Sequence, residues 1–154
     1  MRKIERILAP TDFSSNARLA VEEAVSLASQ IGAKVDVLTV NSRSYIRQAI
    51  REGMLDANDT DETLQARTLE LTQERLAELV QHCNCDGVEI SPHIRVGEAG
   101  PEIIRFAIES ASDLIVLGNY GIGGVRNILF GSAAERVIKK AACPVLLVRP
   151  TVHP

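Results

Sequence analysis

The chain has 154 residues, 45% hydrophobic and 24% charged, the balance of an ordinary globular domain rather than a disordered segment. That length fits one domain over residues 1–154, which buries roughly 70% of its unfolded surface and needs no disulfide or metal to hold a core. With 17 basic and 20 acidic residues, a net charge of −3, no Trp, two Tyr and three Phe, it is poorly equipped to neutralise nucleic-acid phosphates or to stack bases.

Ile7, Leu8 and Ala9 predict a short strand closed by Pro10. Ala17, Ala20, Val21, Ala24, Leu27, Ala28 and Ile31 recur at helical spacing and stop at Gly32, a natural C-cap. Val35, Val37 and Val40 then alternate with polar residues as a second strand. From Asn41 to Asp61 the pattern weakens into the longest expected connection. Arg43, Arg47 and Arg51 share a helical face there, read as a solvated turn or two of helix in preference to an anion-binding stripe.

Leu69, Leu76, Leu79, Val80 and Cys83 mark the next helix. Val88, Ile90, Ile94 and Val96 alternate with Glu89, Ser91, His93 and Arg95, and Pro92 within that strand assigns it to a sheet edge. A helix starting near Gly100-Pro101 carries Ile103, Ile104, Ala107, Ile108 and Ala111. Leu114 to Leu117 is apolar on both faces, as in a strand buried in a parallel sheet. A last helix with Phe130, Ala133, Ala134, Val137, Ile138 and Ala141 precedes a fifth strand, Val145 to Val148. Strands alternating with helix-length connections imply parallel pairing and right-handed crossovers. The fold class is therefore an open, doubly wound α/β sheet of five parallel strands.

No run approaches the ~18 apolar residues of a membrane span, and Met1 to Pro10 contains no signal-peptide core, so a cytoplasmic chain without membrane insertion is expected. Cys83, Cys85 and Cys143 are an odd set, best read as reduced thiols. His82-Cys83-Asn84-Cys85 lacks a second ligand cluster, and helix-end residues are preferred to a metal site there.

Ligands of such sheets bind beyond the C-terminal strand ends, where strand order reverses. After the fourth strand, five of the ten glycines fall between Gly118 and Gly131. Glycine accepts positive φ and lets backbone N–H groups approach phosphate oxygens. Gly131-Ser132 opens a helix whose N-terminus favours an anion, and Arg126 adds a charge. Phosphate binding is preferred here to a flexible loop with Ser132 as a simple N-cap. After the first strand, Asp12 or Ser14 caps the next helix on local grounds, and an Asp12 carboxylate also suits ribose hydroxyls. The chain has neither G-x-x-x-x-G-K-[ST] nor G-x-G-x-x-G after its first strand. His82, His93 and His153 all lie away from these turns, so the site is better built to hold a nucleotide than to cleave it.

Over Ile4 to Pro150 the sequence resembles the universal stress protein family. Leu8-Ala9-Pro10-Thr11-Asp12-Phe13-Ser14 is similar to its first strand and turn, and Cys143-Pro144-Val145-Leu146-Leu147-Val148-Arg149 to its last strand. Gly118-x2-Gly121-x9-Gly131-Ser132 fits the G-x2-G-x9-G-[ST] signature of the family's ATP-binding branch without gap or substitution. The resemblance implies strand order 3-2-1-4-5 in a Rossmann-like, adenine-nucleotide alpha-hydrolase-like sheet. It implies ribose at Asp12, adenine framed by backbone around Pro10, Thr11 and Val40, and Gly97 near the nucleotide. Gly118, Gly121, Gly131 and Ser132 hold phosphates in that reading, with Asn119, Arg126 and Ala133 in the same site.

The function expected is an ATP-binding regulatory protein of a stress response, taking ATP, or ADP or AMP, with or without Mg2+. The alternatives are a slow ATPase or phosphotransferase and a nucleotide-independent interaction module. In the 3-2-1-4-5 order Val145, Leu146, Leu147 and Val148 form an apolar edge strand, which points to a homodimer through that strand, with an unidentified protein partner left open.

Overall fold

The computed structural model describes residues 2–119 and 131–150. Five strands, β1 (Arg6–Pro10), β2 (Lys34–Asn41), β3 (Ile90–Val96), β4 (Leu114–Gly118) and β5 (Val145–Val148), form one sheet in the order β3-β2-β1-β4-β5. Every pairing is parallel. Five helices, α1 (Ser15–Ile31), α2 (Arg43–Arg51), α3 (Asp61–His82), α4 (Ala99–Glu109) and α5 (Ser132–Lys140), make the crossovers.

Period-two alternation sorts the strands' side chains between two cores, because both faces of a parallel sheet must be covered. Ile7, Ala9, Val35, Val37 and Val116 pack with Ala20, Val21, Ala24 and Ala28 of α1 and Leu76 and Leu79 of α3. Leu8, Leu38, Val40, Ile115 and Leu117 pack on the other face with Ile103, Phe106 and Ala107 of α4 and Ala134 and Val137 of α5. The Ala-rich stripe of α1 lets that helix sit close over β1 and β4. Gly32 ends it as expected, at φ 76° with its N–H bonded to the Ala28 carbonyl.

The connection from Asn41 to Asp61 holds more structure than its pattern predicts. α2 is nine residues long and buries Tyr45 and Ala49, spaced i, i+4, against the domain. Arg43, Arg47 and Arg51 on its other side are exposed, and Arg43 also borders the cleft at the C-terminal strand ends. α4 also ends earlier than its apolar spacing predicts: Ala111 lies beyond the helix at φ 53°.

β3 lies at one edge with Pro92 in it, as its sequence requires, and β5 lies at the other. On the α4 side of β2, Asp36 is 2% exposed. Its carboxylate accepts from Arg6 Nε at 2.5 Å and pairs with His93 Nε2 at 2.8 Å, so one buried charge joins β1, β2 and β3. Burial works against that charge, but the hydrogen bonds from Arg6 and His93 outweigh it and hold the Asp36 carboxyl below its ordinary value.

The cysteines are free thiols. Burial pushes Cys83 and Cys143 upward, away from the thiolate that reactive cysteines need.

Candidate functional site

The C-terminal ends of β1, β2 and β4 open into one cleft of about 1110 Å³. Its walls include Pro10, Thr11, Asp12, Val40, Gly97, Gly118, Gly131, Ser132 and Ala133. Nine of the twelve residues read from the sequence as one site thus meet at the place where the strand order reverses between β1 and β4.

The turn after β1 is tightly specified. Thr11 N–H bonds the Leu38 carbonyl at 2.8 Å, extending the β1–β2 ladder by one residue. Thr11 Oγ1 then accepts from Phe13 N–H at 3.0 Å, and Asp12 Oδ1 accepts from Ser14 N–H at 2.9 Å. Phe13 reverses the chain at φ 65°, a left-handed conformation uncommon for a bulky residue. Ser14, not Asp12, caps α1, accepting from Ala17 N–H at 3.3 Å.

Among the described residues, four helix N-termini face this end of the sheet: those of α1, α2, α4 and α5. At α4 and α5 the N-cap residues, Glu98 and Gly131, supply no side-chain bond to the first turn. The N–H groups there, at Ser132 and Ala133 among others, are placed to meet an anion on the cleft wall.

The glycines differ in what demands them. Gly97 sits at φ 143°, and an added Cβ would also lie 3.1 Å from Glu102 Cγ. At Gly118 the demand is packing: a Cβ would approach the Asn16 carbonyl oxygen at 3.0 Å, where α1 starts over the end of β4. Gly131 stands at φ −70° and ψ 162°, which any residue adopts, so positive φ is not what calls for glycine there.

Asn119 lies behind the wall rather than on it. Its Oδ1 accepts from Asn16 Nδ2, and its carbonyl accepts from Gly131 N–H at 2.7 Å, tying the two ends of the glycine segment together. Gly121 and Arg126 fall outside the described residues.

Two sets of residues on the walls were not read from the sequence. Ser42, Arg43, Ser44, Tyr45 and Ile46 of the β2–α2 segment, with Gln65 of α3, line one side. Glu98 and Arg136 line the other, Arg136 Nη1 donating to Glu98 Oε1 at 3.1 Å while its stem packs on Gly100. The i, i+4 pair Tyr45 and Ala49 was the available signal for the first set. The second depends on α4 packing against α5, and spacing along the chain does not disclose it.

A doubly wound parallel sheet with a glycine-bounded cleft at its switch point defines the class: a Rossmann-like α/β domain, a fold in which ligands lie at the C-terminal strand ends. The sequence model of the universal stress protein family matches residues 3–149, and the chain belongs to that family. It is 34% identical over 145 residues to universal stress protein MJ0531 of Methanocaldococcus jannaschii, covering 94% of this chain and 82% of that protein. The solved structure of MJ0577, from the same organism, superposes with a TM-score of 0.81 at 26% identity and covers 99% of this chain and 100% of its own. The universal stress protein from Archaeoglobus fulgidus solved in complex with dAMP superposes with a TM-score of 0.62 at 26% identity, covering 96% of this chain and 98% of that one.

Proposed function

We propose that the cleft holds an adenine nucleotide, ATP ahead of ADP or AMP, and that the chain acts in a stress response through nucleotide occupancy in a homodimer. One observation carries the reading: residues far apart in sequence, from Pro10 to Ala133, gather on a single cleft at the sheet's switch point. The Archaeoglobus fulgidus relative in complex with dAMP supports the ligand class.

In this reading the Asp12 carboxylate accepts from ribose hydroxyls and the backbone at Pro10, Thr11 and Val40 frames the base. Gly97 and Gly118 stand on the wall beside the ligand. The first-turn N–H groups of α5, at Ser132 and Ala133, meet the phosphates, and Gly121 and Arg126 belong to the same end. Asn119 serves from behind by closing the glycine segment. Among the described residues no three His, Cys, Asp or Glu side chains gather as a metal cage. A Mg2+ ion would therefore be carried chiefly by the phosphates, as this cation commonly is.

No histidine lines the described cleft, and the sequence has no P-loop lysine. Hydrolysis is accordingly expected below the ~1–10³ per second of ordinary enzymes. Mass spectrometry of small molecules released from the denatured protein, followed by calorimetry with ATP, ADP and AMP, tests the reading. An adenine nucleotide that co-purifies or binds supports it; a folded protein that binds none of the three overturns it.

A further inference from the structure

Behind the Asp12 turn lies a second, smaller cavity of about 160 Å³, bounded by the turn itself, α2 and Arg75 of α3. The Arg75 guanidinium carbon sits 4.5 Å from the centre of the Phe13 ring and 5.8 Å from that of Tyr45. The two rings are 6.1 Å apart and tilted by 52°. Among the described residues Arg75 makes no ion pair, and its guanidinium lies over the two ring faces. A guanidinium over aromatic faces is attracted by their quadrupoles, and most strongly where water is partly excluded.

The stack has a fixed base. Tyr45 is 2% exposed. Its hydroxyl lies 3.1 Å from Thr72 Oγ1, which lies 2.8 Å from Asn41 Oδ1 at the end of β2. Arg75 follows Thr72 by one turn of α3, so β2, α2 and α3 are locked together beneath the Phe13 ring. Phe13 is also the residue held at φ 65°, between the two side-chain bonds that define the turn. Relaxing Phe13 toward negative φ would move Ser14 N–H away from Asp12 Oδ1, and so remove one bond that orients the carboxylate.

We infer that Arg75, which does not line the large cleft, is a positioning residue for Asp12: by clamping the Phe13 ring onto Tyr45 it holds the strained turn and fixes the carboxylate toward a ligand's ribose hydroxyls. This rests on the adenine-nucleotide reading of the cleft and adds to it the device that sets sugar recognition.

The test compares ATP with 2′,3′-dideoxy-ATP by calorimetry, since only the first offers the hydroxyls that Asp12 would read. The unmodified protein should prefer ATP, and Asp12→Ala should erase the preference. Arg75→Ala should weaken ATP by about tenfold, the size of one charge-assisted hydrogen bond, and dideoxy-ATP much less. Arg75→Lys, which keeps a cation over the ring, should restore part of the preference. Phe13→Gly keeps a residue that accepts φ 65° but removes the clamped ring; it should lose the preference as Arg75→Ala does, so the inference stays testable if that variant folds poorly. An unchanged ATP to dideoxy-ATP ratio in a folded Arg75→Ala or Phe13→Gly protein, or equal weakening of both ligands, overturns the inference while leaving the nucleotide reading intact. Failure of the unmodified protein to bind either ligand overturns both.

Discussion

At the scale of single residues, the glycines of the cleft separate two demands that a motif merges. Gly97 is fixed by its backbone angle and Gly118 by the nearness of α1. Gly131 is constrained by neither φ nor a side-chain cap, since it is itself the N-cap of α5. Serine at that position would supply the missing acceptor for the first turn while placing a Cβ where the proposed nucleotide would lie. Gly131→Ser should therefore keep or slightly raise the melting temperature while weakening ATP binding at least about tenfold, one lost charge-assisted hydrogen bond. Calorimetry and a thermal melt on the same sample read both, and unchanged affinity would remove Gly131 from the site. Asp12 and the glycines were legible in the sequence because their chemistry is local. The angle at Gly131 was not, because a glycine written in a motif does not disclose whether it is there for its φ or for its missing Cβ.

At the scale of elements, β1, β4 and β5 were legible from short unbroken apolar runs and β2 and β3 from alternation, and Gly32 and Pro92 mark their own places. α2 was harder to read: only Tyr45 and Ala49 are buried in it, among residues whose charge reads as solvated. The Asp36 cluster was illegible for another reason, since Arg6 and His93 reach Asp36 from 30 and 57 residues away. That cluster joins three strands, and its effect on stability has a definite sign. A carboxyl held below its ordinary value when folded contributes stability that is complete above the unfolded aspartate pKa, about 3.9, and is lost as pH falls through the lower folded value. Asp36→Asn should destabilise the domain by about 2 kcal/mol at pH 7, because it leaves the Arg6 charge half-buried without its counter-ion. It should also flatten the acid side of the stability profile below about pH 4. Urea unfolding of both proteins from pH 3 to pH 7 measures this, and parallel profiles would show that Asp36 carries no linked proton.

At the scale of the whole molecule, β5 gives the sheet its open side. Leu146 is 44% exposed, whereas Leu147 is half-buried against the α4–α5 core. A charge at Leu147 would thus damage the interior as well as the edge. Leu146→Lys is the cleaner probe of a homodimer paired through β5: light scattering should give a dimer for the unmodified protein and a folded monomer for the variant. A monomer before substitution, or a dimer after it, would place the contact elsewhere.

The proline in β3 also limits how far the protein can assemble. It lacks an N–H to offer a newcomer, and Glu89 and Arg95 add charge along that side. With one edge receptive and the other refusing, the proposed pairing through β5 would join like to like across a two-fold axis and then have nowhere to continue. In a homodimer paired through β5 growth would end at two copies, and a parallel sheet whose last strand is bare hydrocarbon would be kept from becoming the seed of a fibre.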